Sequence, residues 1–220
     1  MAPVLLAIDS STETLCLAAC AGGREVMWHG VGGAQASAVL LSRARTLLAQ
    51  LDAGLGQLDA VAFARGPGAF TGLRTACASA QGLAFGIGCG VLPLDSLLIV
   101  AQAASRKLAC THNQGNVGVV MDARMGELYA GLYRQASSGW DELQPPMLVT
   151  PQALADRWVS HGPQCVVGTG VPLLAATQQG PGLCRNTVVV DDAERTAAML
   201  VLAQASWEAG QSRPAEEALP

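Results

Sequence analysis

The stretch Ala64-Arg65-Gly66-Pro67-Gly68-Ala69-Phe70-Thr71-Gly72-Leu73-Arg74 constrains the fold of this chain more than any other. It joins a short apolar run, Leu58 to Ala64, to an Ala-rich segment, Thr71 to Gly86. The run reads as a buried strand and the segment as a helix. Glycine tolerates positive φ and proline presets its own, so Gly66, Pro67, Gly68 and Gly72 make a tight, structural connection. Thr71 is placed to cap the helix with its hydroxyl. Free N–H groups at the helix start are a potential seat for an anion. A bare Gly-Pro-Gly marks an ordinary strand–turn–helix corner. This signal is longer, and it predicts more than a corner.

The core must be built mainly from Ala, Leu, Val and Gly. Half of the 220 residues are hydrophobic, but only 4% are aromatic and 14% charged. No apolar run reaches the ~18 residues of a membrane span. Met1-Ala2-Pro3-Val4-Leu5 carries no basic region of the kind that opens a signal peptide. The seven cysteines (16, 20, 77, 89, 110, 165, 184) are odd in number and lack a Cys-x-x-Cys pair. They read as reduced, mostly buried thiols of a cytoplasmic protein. Of the 13 basic residues only Lys107 is a lysine, and the net charge is −4. Nucleic-acid binders show basic stripes or a high pI. With a pI near 5.3 and no basic cluster beyond Arg106-Lys107, this chain alone is a poor RNA binder. A Walker-type loop is excluded, because no Gly-Lys-Ser/Thr occurs.

Taken in order, Val4 to Asp9, Leu15 to Ala21 and Arg24 to Val31 predict a three-stranded meander with Gly22-Gly23 as its second turn. Asp9 then sits at the end of the first strand, followed by Ser10, Ser11 and Thr12. A carboxylate followed by hydroxyls is an arrangement that holds a metal-bound phosphate. From this segment alone a turn-forming Asx/Ser cluster is the plainer reading. Ser37 to Leu51 has helical spacing with a broad apolar face and Ser37 as its N-cap. After the central loop and helix, Val91 to Leu94 reads as a strand, and a helix capped by Asp95 or Ser96 runs to about Lys107. This β-β-β-α-β-α-β-α order suits a mixed sheet with helices on its faces.

Leu108 to Gly115 reads as a polar linker that divides the chain into domains 1–107 and 108–220. Val117 to Met121 and Leu128 to Arg134 predict a hairpin around Asp122-Ala123-Arg124-Met125-Gly126-Glu127. Those turn residues read equally as polar cleft residues or as a hairpin turn with an Arg–carboxylate pair. Gln135 to Pro146 reads as a loop and Met147 to Val149 as a strand. Thr150-Pro151 opens a helix, with Thr as N-cap and Pro at its first position. Cys165 to Gly168 is a strand before Gly168-Thr169-Gly170, Val171 to Gln179 a short helix and Thr187 to Val190 a strand. Ala193 to Ala209 is a last helix, expected to pack back on the first domain, and the polar tail from Gly210 reads as mobile. The second half repeats the first in outline.

Three segments together resemble the TsaB (YeaZ) family over nearly the whole chain. They are Ile8-Asp9-Ser10-Ser11-Thr12, Arg65 to Arg74, and Asp122 to Tyr129. The Gly-Pro-Gly-x-Phe-Thr-Gly-x-Arg run is the most specific part and is shared with the paralogous catalytic subunit TsaD. The resemblance implies an α/β, actin-like fold of the sugar-kinase/Hsp70 type, made of two related RNase H-like domains. It implies a part in making threonylcarbamoyladenosine beside the anticodon of tRNA. It also implies TsaD as partner, the ATPase TsaE as assistant, tRNA contact only through the complex, and ATP and a metal ion in the partner subunits. The family commonly has His-Ser where this chain has Ala36-Ser37, and a Tyr-Leu-Arg segment beyond the point where this chain stops at Pro220.

Catalysis of the TsaD type needs paired histidines on one helix. His29, His112 and His161 stand far apart, no HExxH occurs, and no metal ligand or catalytic residue is assigned. Ser11 occupies a position where nucleotide-binding relatives prefer Gly, and its Cβ obstructs close approach of the backbone to a phosphate. The expectation is a non-catalytic scaffold that activates TsaD. The alternative is a weak nucleotide-dependent phosphotransferase or ATPase with a site at Asp9, Ser11, Thr12 and Thr71. Ala78, Gly82 and Gly86 repeat at i, i+4, i+8 and share a face of the second helix. With Leu73 and with Leu40, Ala44 and Leu47 of the first helix, they predict a joint patch for TsaD, or for a second copy when TsaD is absent.

Overall fold

The computed structural model describes residues 2–109, 115–137 and 139–220. In chain order the first elements are strands β1 (Leu5–Asp9), β2 (Thr14–Ala21) and β3 (Arg24–Val31), and helix α1 (Ala36–Gln50). Strand β4 (Ala60–Gly66), helix α2 (Phe70–Ile87), strand β5 (Gly90–Asp95) and helix α3 (Ser96–Ala109) follow. The chain continues through β6 (Asn116–Asp122), β7 (Leu128–Ala136), β8 (Gly139–Val149) and α4 (Pro151–His161). It ends with β9 (Cys165–Val167), α5 (Val171–Ala175), α6 (Gly180–Leu183), β10 (Thr187–Val188) and α7 (Asp192–Glu208). No described helix is long and apolar enough to cross a membrane.

The chain forms two compact units. The first comprises Met1–Ser96 and Asp192–Pro220, the second Leu97–Asp191. The sequence suggests a division at 107/108. The structure makes it at Ser96, because Leu97, Val100, Ala101 and Ala104 of α3 bury their apolar face in the second core. Residues 110–114 of the expected linker lie outside the described residues.

In the first unit the sheet order is β3-β2-β1-β4-β5. Strands β1, β2 and β3 pair antiparallel, while β4 pairs parallel with β1 and with β5. Gly22 (φ 57°) and Gly23 (φ 77°) make the two-residue turn between β2 and β3, where positive φ matches the strand twist. One sheet face carries Leu6, Ile8, Leu17, Val61 and Phe63, which pack with Leu40, Leu48, Ala76 and Ala80 of α1 and α2. Period-2 alternation sends Ala7, Cys16, Ala18 and Ala62 to the other face, where α7 packs on β1, β2, β3 and β5. Two expected caps are absent. Helix α1 starts after Gln35 and α2 after Ala69, neither with a side-chain cap, so Ser37 and Thr71 lie inside their helices.

The tail after α7 is docked. Arg213 exchanges backbone hydrogen bonds with Val91 on the β5 edge (2.8 and 2.9 Å). Ala215 and Ala218 are buried in the first core, and the Gln81 amide donates to the Ala215 carbonyl at 3.1 Å. The expectation of mobility read its polarity and missed two alanines at socket positions.

In the second unit the sheet order is β10-β9-β6-β7-β8. Read from the other end, β8-β7-β6-β9-β10 repeats the first sheet, with two antiparallel pairs followed by two parallel ones. Helix α3 covers one face through Val119, Met121, Tyr133 and Val167. Helices α4 and α5 cover the other, where Trp158, Leu154 and Leu174 meet Val120, Ala130 and Val166. The α4 start is as read from sequence: the Thr150 hydroxyl accepts from the Ala153 N–H (3.4 Å) and Pro151 opens the helix. The expected loop Gln135–Pro146 is instead mostly strand. β8 is an edge strand, so its outer ladder side is open, Pro145-Pro146 is tolerated, and its polar residues stay solvated.

Candidate functional site

Two turns of the first unit lock together at the carboxyl ends of β1 and β4. The Ser11 carbonyl accepts from the Ala69 N–H at 2.8 Å, and the Ser10 hydroxyl donates to the Gly72 carbonyl at 2.7 Å. A Cβ on Gly72 would lie 1.8 Å from the Ser10 carbonyl oxygen, and one on Gly68 would lie 2.7 Å from both the Cβ and the carbonyl oxygen of Ser11. Gly66 alone needs glycine for its φ of 114°. Close approach, not positive φ, is what demands glycine at 68 and 72. The start of α2 thus meets carbonyl and hydroxyl groups of the β1–β2 turn, where a phosphate would need donors.

Asp9 ends β1 and is 1% exposed. Its Oδ1 accepts from the Ser11 N–H at 2.7 Å. Its Oδ2 accepts from Arg195, on the first turn of α7, at 2.5 Å. The same guanidinium donates to the Thr12 hydroxyl (3.0 Å), to Asp192 Oδ1 (3.1 Å) and to the Ser11 hydroxyl (3.5 Å). Asp192 Oδ2 accepts from the Thr14 hydroxyl at 2.8 Å, and the Asp192 carbonyl accepts from Thr196 at 2.6 Å. Burial pushes the Arg195 guanidinium down, but the carboxylates of Asp9 and Asp192 outweigh it and hold the group up. Beside it, burial pushes the Cys16 thiol up to about 11. Arg195 is therefore a fixed cation and Cys16 a protonated thiol.

Asp9, Ser11 and Thr12 thus come together, but around an arginine of the same chain. Thr71 is not part of the cluster; it is exposed on α2 and lines a surface groove. Arg195 and Asp192 escape a reading of the sequence because they lie 186 and 178 residues from their partners, Asp9 and Thr14. One signal existed. The first turn of a helix favours anions, so an arginine there needs a local counter-charge.

The outer face of α2 is the second feature. Gly72, Ala76, Cys77, Ala80 and Ala84 are buried. Ala78, Gly82, Phe85 and Gly86 point away from them and are exposed, Phe85 at 75%. A groove of about 400 Å³ runs along this face, bordered by Ser37 of α1 and by Phe70, Thr71, Arg74, Thr75 and Ala78. The Arg74 guanidinium stacks 3.7 Å from the Phe70 ring centre, so the exposed Phe70 is held as a platform. The expected patch shrinks. Leu40, Ala44 and Leu47 are buried in the chain's own core, and Leu73 is half-buried. The residues that α1 offers outward include Ser37 and Leu41 instead.

The second unit repeats the corner, with the Gly170 N–H donating to the Val120 carbonyl at 3.0 Å. Gly168 follows β9 with φ 117°, and the Asp122 N–H donates to the Thr169 hydroxyl at 3.2 Å. Asp122 itself is exposed. Asp122 to Glu127 form a hairpin turn, with Ala123 N–H to Glu127 carbonyl at 2.9 Å and Glu127 N–H to Arg124 carbonyl at 3.0 Å. Arg124 and Met125 both take positive φ (69° and 52°), and Met125 is 98% exposed.

Comparison with known proteins gives this geometry a family. The family model of TsaD, tRNA N6-adenosine threonylcarbamoyltransferase, matches residues 34–167. The tRNA threonylcarbamoyladenosine biosynthesis protein TsaB of Escherichia coli is 31% identical over 168 residues, which are 76% of this chain and 71% of that protein. The chain belongs to the TsaB (YeaZ) family. The TsaB of Haemophilus influenzae is 40% identical over 125 residues, covering 57% of this chain and about half (51%) of that relative. The structure of YeaZ from Pseudomonas aeruginosa superposes with a TM-score of 0.83 at 33% identity, covering 99% of this chain and 98% of that one. The two five-stranded units are accordingly the fold that this chain shares with that YeaZ structure.

Proposed function

We propose that this chain is a non-catalytic subunit for threonylcarbamoyladenosine formation on tRNA, and that it activates a TsaD-type transferase by docking through the outer face of α2. The observation that carries this reading is that face: Ala78, Gly82, Phe85 and Gly86 with the Phe70–Arg74 groove, small and apolar where a solvated helix is charged. Ala78, Gly82 and Phe85 fall within about 60° of the helix circumference, so one partner helix meets all three. Small side chains there let two helix axes approach closely. The match to the TsaD family model includes α1 and α2. A partner with helices of the same kind makes a pseudo-two-fold contact, and a second copy makes a true one. In this reading TsaE, ATP and the catalytic metal enter with the partner subunits, tRNA binds only the assembled complex, and the assembly works in the cytoplasm. The self-occupied Asp9 cluster supports the non-catalytic part and speaks against an ATPase or phosphotransferase.

The test is co-purification with TsaD and reconstituted tRNA modification, using Ala78→Arg and Phe85→Asp. Both side chains point to solvent, so both variants are expected to fold, to self-associate less, to bind TsaD at least tenfold more weakly and to lose modification. A folded Ala78→Arg that binds TsaD normally places the interface elsewhere. Robust ATP turnover by the pure chain, abolished by Asp9→Ala, overturns the non-catalytic reading.

A further inference from the structure

The end of β1 is lined with oxygen. Asp9 Oδ2 (2.5 Å) and the Ser11 hydroxyl (3.5 Å) face one terminal nitrogen of the Arg195 guanidinium, and the Thr12 hydroxyl (3.0 Å) and Asp192 Oδ1 (3.1 Å) face the other, so the guanidinium fills the space between them. Two carboxylates and two hydroxyls form a hard donor set, of the kind that suits Mg²⁺, Mn²⁺ or Ca²⁺. Such ions sit about 2.0–2.6 Å from oxygen, so these oxygens must draw inward to close a shell on a divalent ion once the guanidinium is gone. Arg195 is held in place from several sides. Its turn of α7 is tied to β2 by Thr14 on Asp192 Oδ2 and closed by Thr196 on the Asp192 carbonyl. Arg195 itself is 8% exposed.

We propose that the Arg195 guanidinium is a built-in cation that excludes a divalent ion, and any phosphate the ion would carry, from the Asp9 cluster. Arg195 is thereby the residue that keeps the site silent. A free ion must displace a competitor that is covalently attached and already paired with both carboxylates. An arginine cannot be deprotonated to make way for it. Removing the guanidinium leaves the same oxygens with a net negative charge and a space of cation size. The proposal deepens the non-catalytic reading, and it is tested by ion binding without partner or turnover, so the two can fail separately.

The experiment is titration of the full chain with Mn²⁺ alone, read by electron paramagnetic resonance of free Mn²⁺ and by the melting temperature. The parent is expected to show no saturable binding up to millimolar Mn²⁺ and no shift in melting. Arg195→Met, which keeps the apolar stem volume, is expected to bind one Mn²⁺ at least tenfold more tightly than the parent, and Asp9→Asn in that background to lose it. Arg195→Lys keeps a cation and is expected to stay closed. If Arg195→Met is unfolded without ions, the proposal expects millimolar Mn²⁺ to restore its melting transition by mass action. Saturable Mn²⁺ binding by the parent that Asp9→Asn removes overturns the proposal. So does a folded Arg195→Met that binds no better than the parent, or an unfolded one that Mn²⁺ does not rescue.

Discussion

Replacing Gly72 by alanine tests whether the glycine-rich corner is a mechanical latch. Gly72 lies in α2 without positive φ, so the backbone itself accepts alanine. The obstacle is the Ser10 carbonyl oxygen, 1.8 Å from the new Cβ, where non-bonded heavy atoms settle at about 3.5 Å. The β1–β2 turn must move by more than about 1 Å. That movement strains two hydrogen bonds, Ala69 N–H to Ser11 (2.8 Å) and Ser10 hydroxyl to Gly72 (2.7 Å). Each is worth about 1 kcal/mol net, and overpacking of a tight site adds about 1–3 kcal/mol. Alanine returns about 1 kcal/mol of helix propensity. The expected net loss is about 2–4 kcal/mol, a fall in Tm of roughly 5–12 °C for a chain of this length. Gly82→Ala is the control. It is exposed, mid-helix and without a neighbour within 4 Å of the new Cβ, so it is expected to stabilise by roughly 0.5–1 kcal/mol. Urea denaturation followed by circular dichroism measures both. A Gly72→Ala protein within about 0.5 kcal/mol of the parent refutes the latch. Unchanged melting with lost support of tRNA modification would assign the corner to direct chemistry.

Two further outcomes follow from the same structure. Deleting residues 211–220 opens the Ala215 and Ala218 sockets and the β5 edge, and is expected to cost about 2–3 kcal/mol by the size of comparable losses; an unchanged urea midpoint would show the tail to be dispensable. Cys16 is raised from 9.0 to about 11, so it binds its proton more tightly folded than unfolded; its contribution is complete below about pH 9 and is lost as pH rises towards 11. The slope is about 1.4 kcal/mol per pH unit in that window. Urea midpoints between pH 8 and 10.5 should therefore fall, and Cys16→Ala should flatten the fall; an equal slope in that variant refutes the assignment.

The parts of the fold legible in the sequence are those decided by local chemistry. Leu5–Asp9 and Ala60–Gly66 are short, apolar and bounded by turn residues, which is what a central strand requires. Gly22-Gly23 and Thr150-Pro151 carry their turn and cap in two residues each. What escaped is decided at a distance. Trp140-Asp141-Glu142 looks like loop because an edge strand has no second neighbour to bury its polar side chains. Leu40, Ala44 and Leu47 share a line with helical spacing, but spacing cannot say whether that line meets the chain's own sheet or a partner. Leu41, one residue on, is 47% exposed while Leu40 is 2%. Asp9 is legible as the start of an Asx/Ser turn, which its Oδ1 makes with the Ser11 N–H, but its ion-pair partner is not, because Arg195 arrives only when the chain returns from the second unit.

Helix α2 explains why the corner and the proposed partner face belong together. Its inner side is built from Gly72, Ala76, Ala80 and Ala84, so the helix lies close against β4. Its outer side is also small, at Ala78, Gly82 and Gly86. The chain's own sheet covers the inner side, and in the proposed reading the partner covers the outer one. The latch fixes the first turn of α2 through Ala69 and Gly72 and thereby sets the direction of the whole outer face. A shift at the latch of the size that Gly72→Ala demands, carried along 18 residues, moves Phe85 at the far end of the helix. In the proposed reading the glycine-rich corner serves tRNA modification by aiming a helix rather than by holding a phosphate. Its variants should then lose partner binding in proportion to lost latch geometry, whether or not they touch the partner.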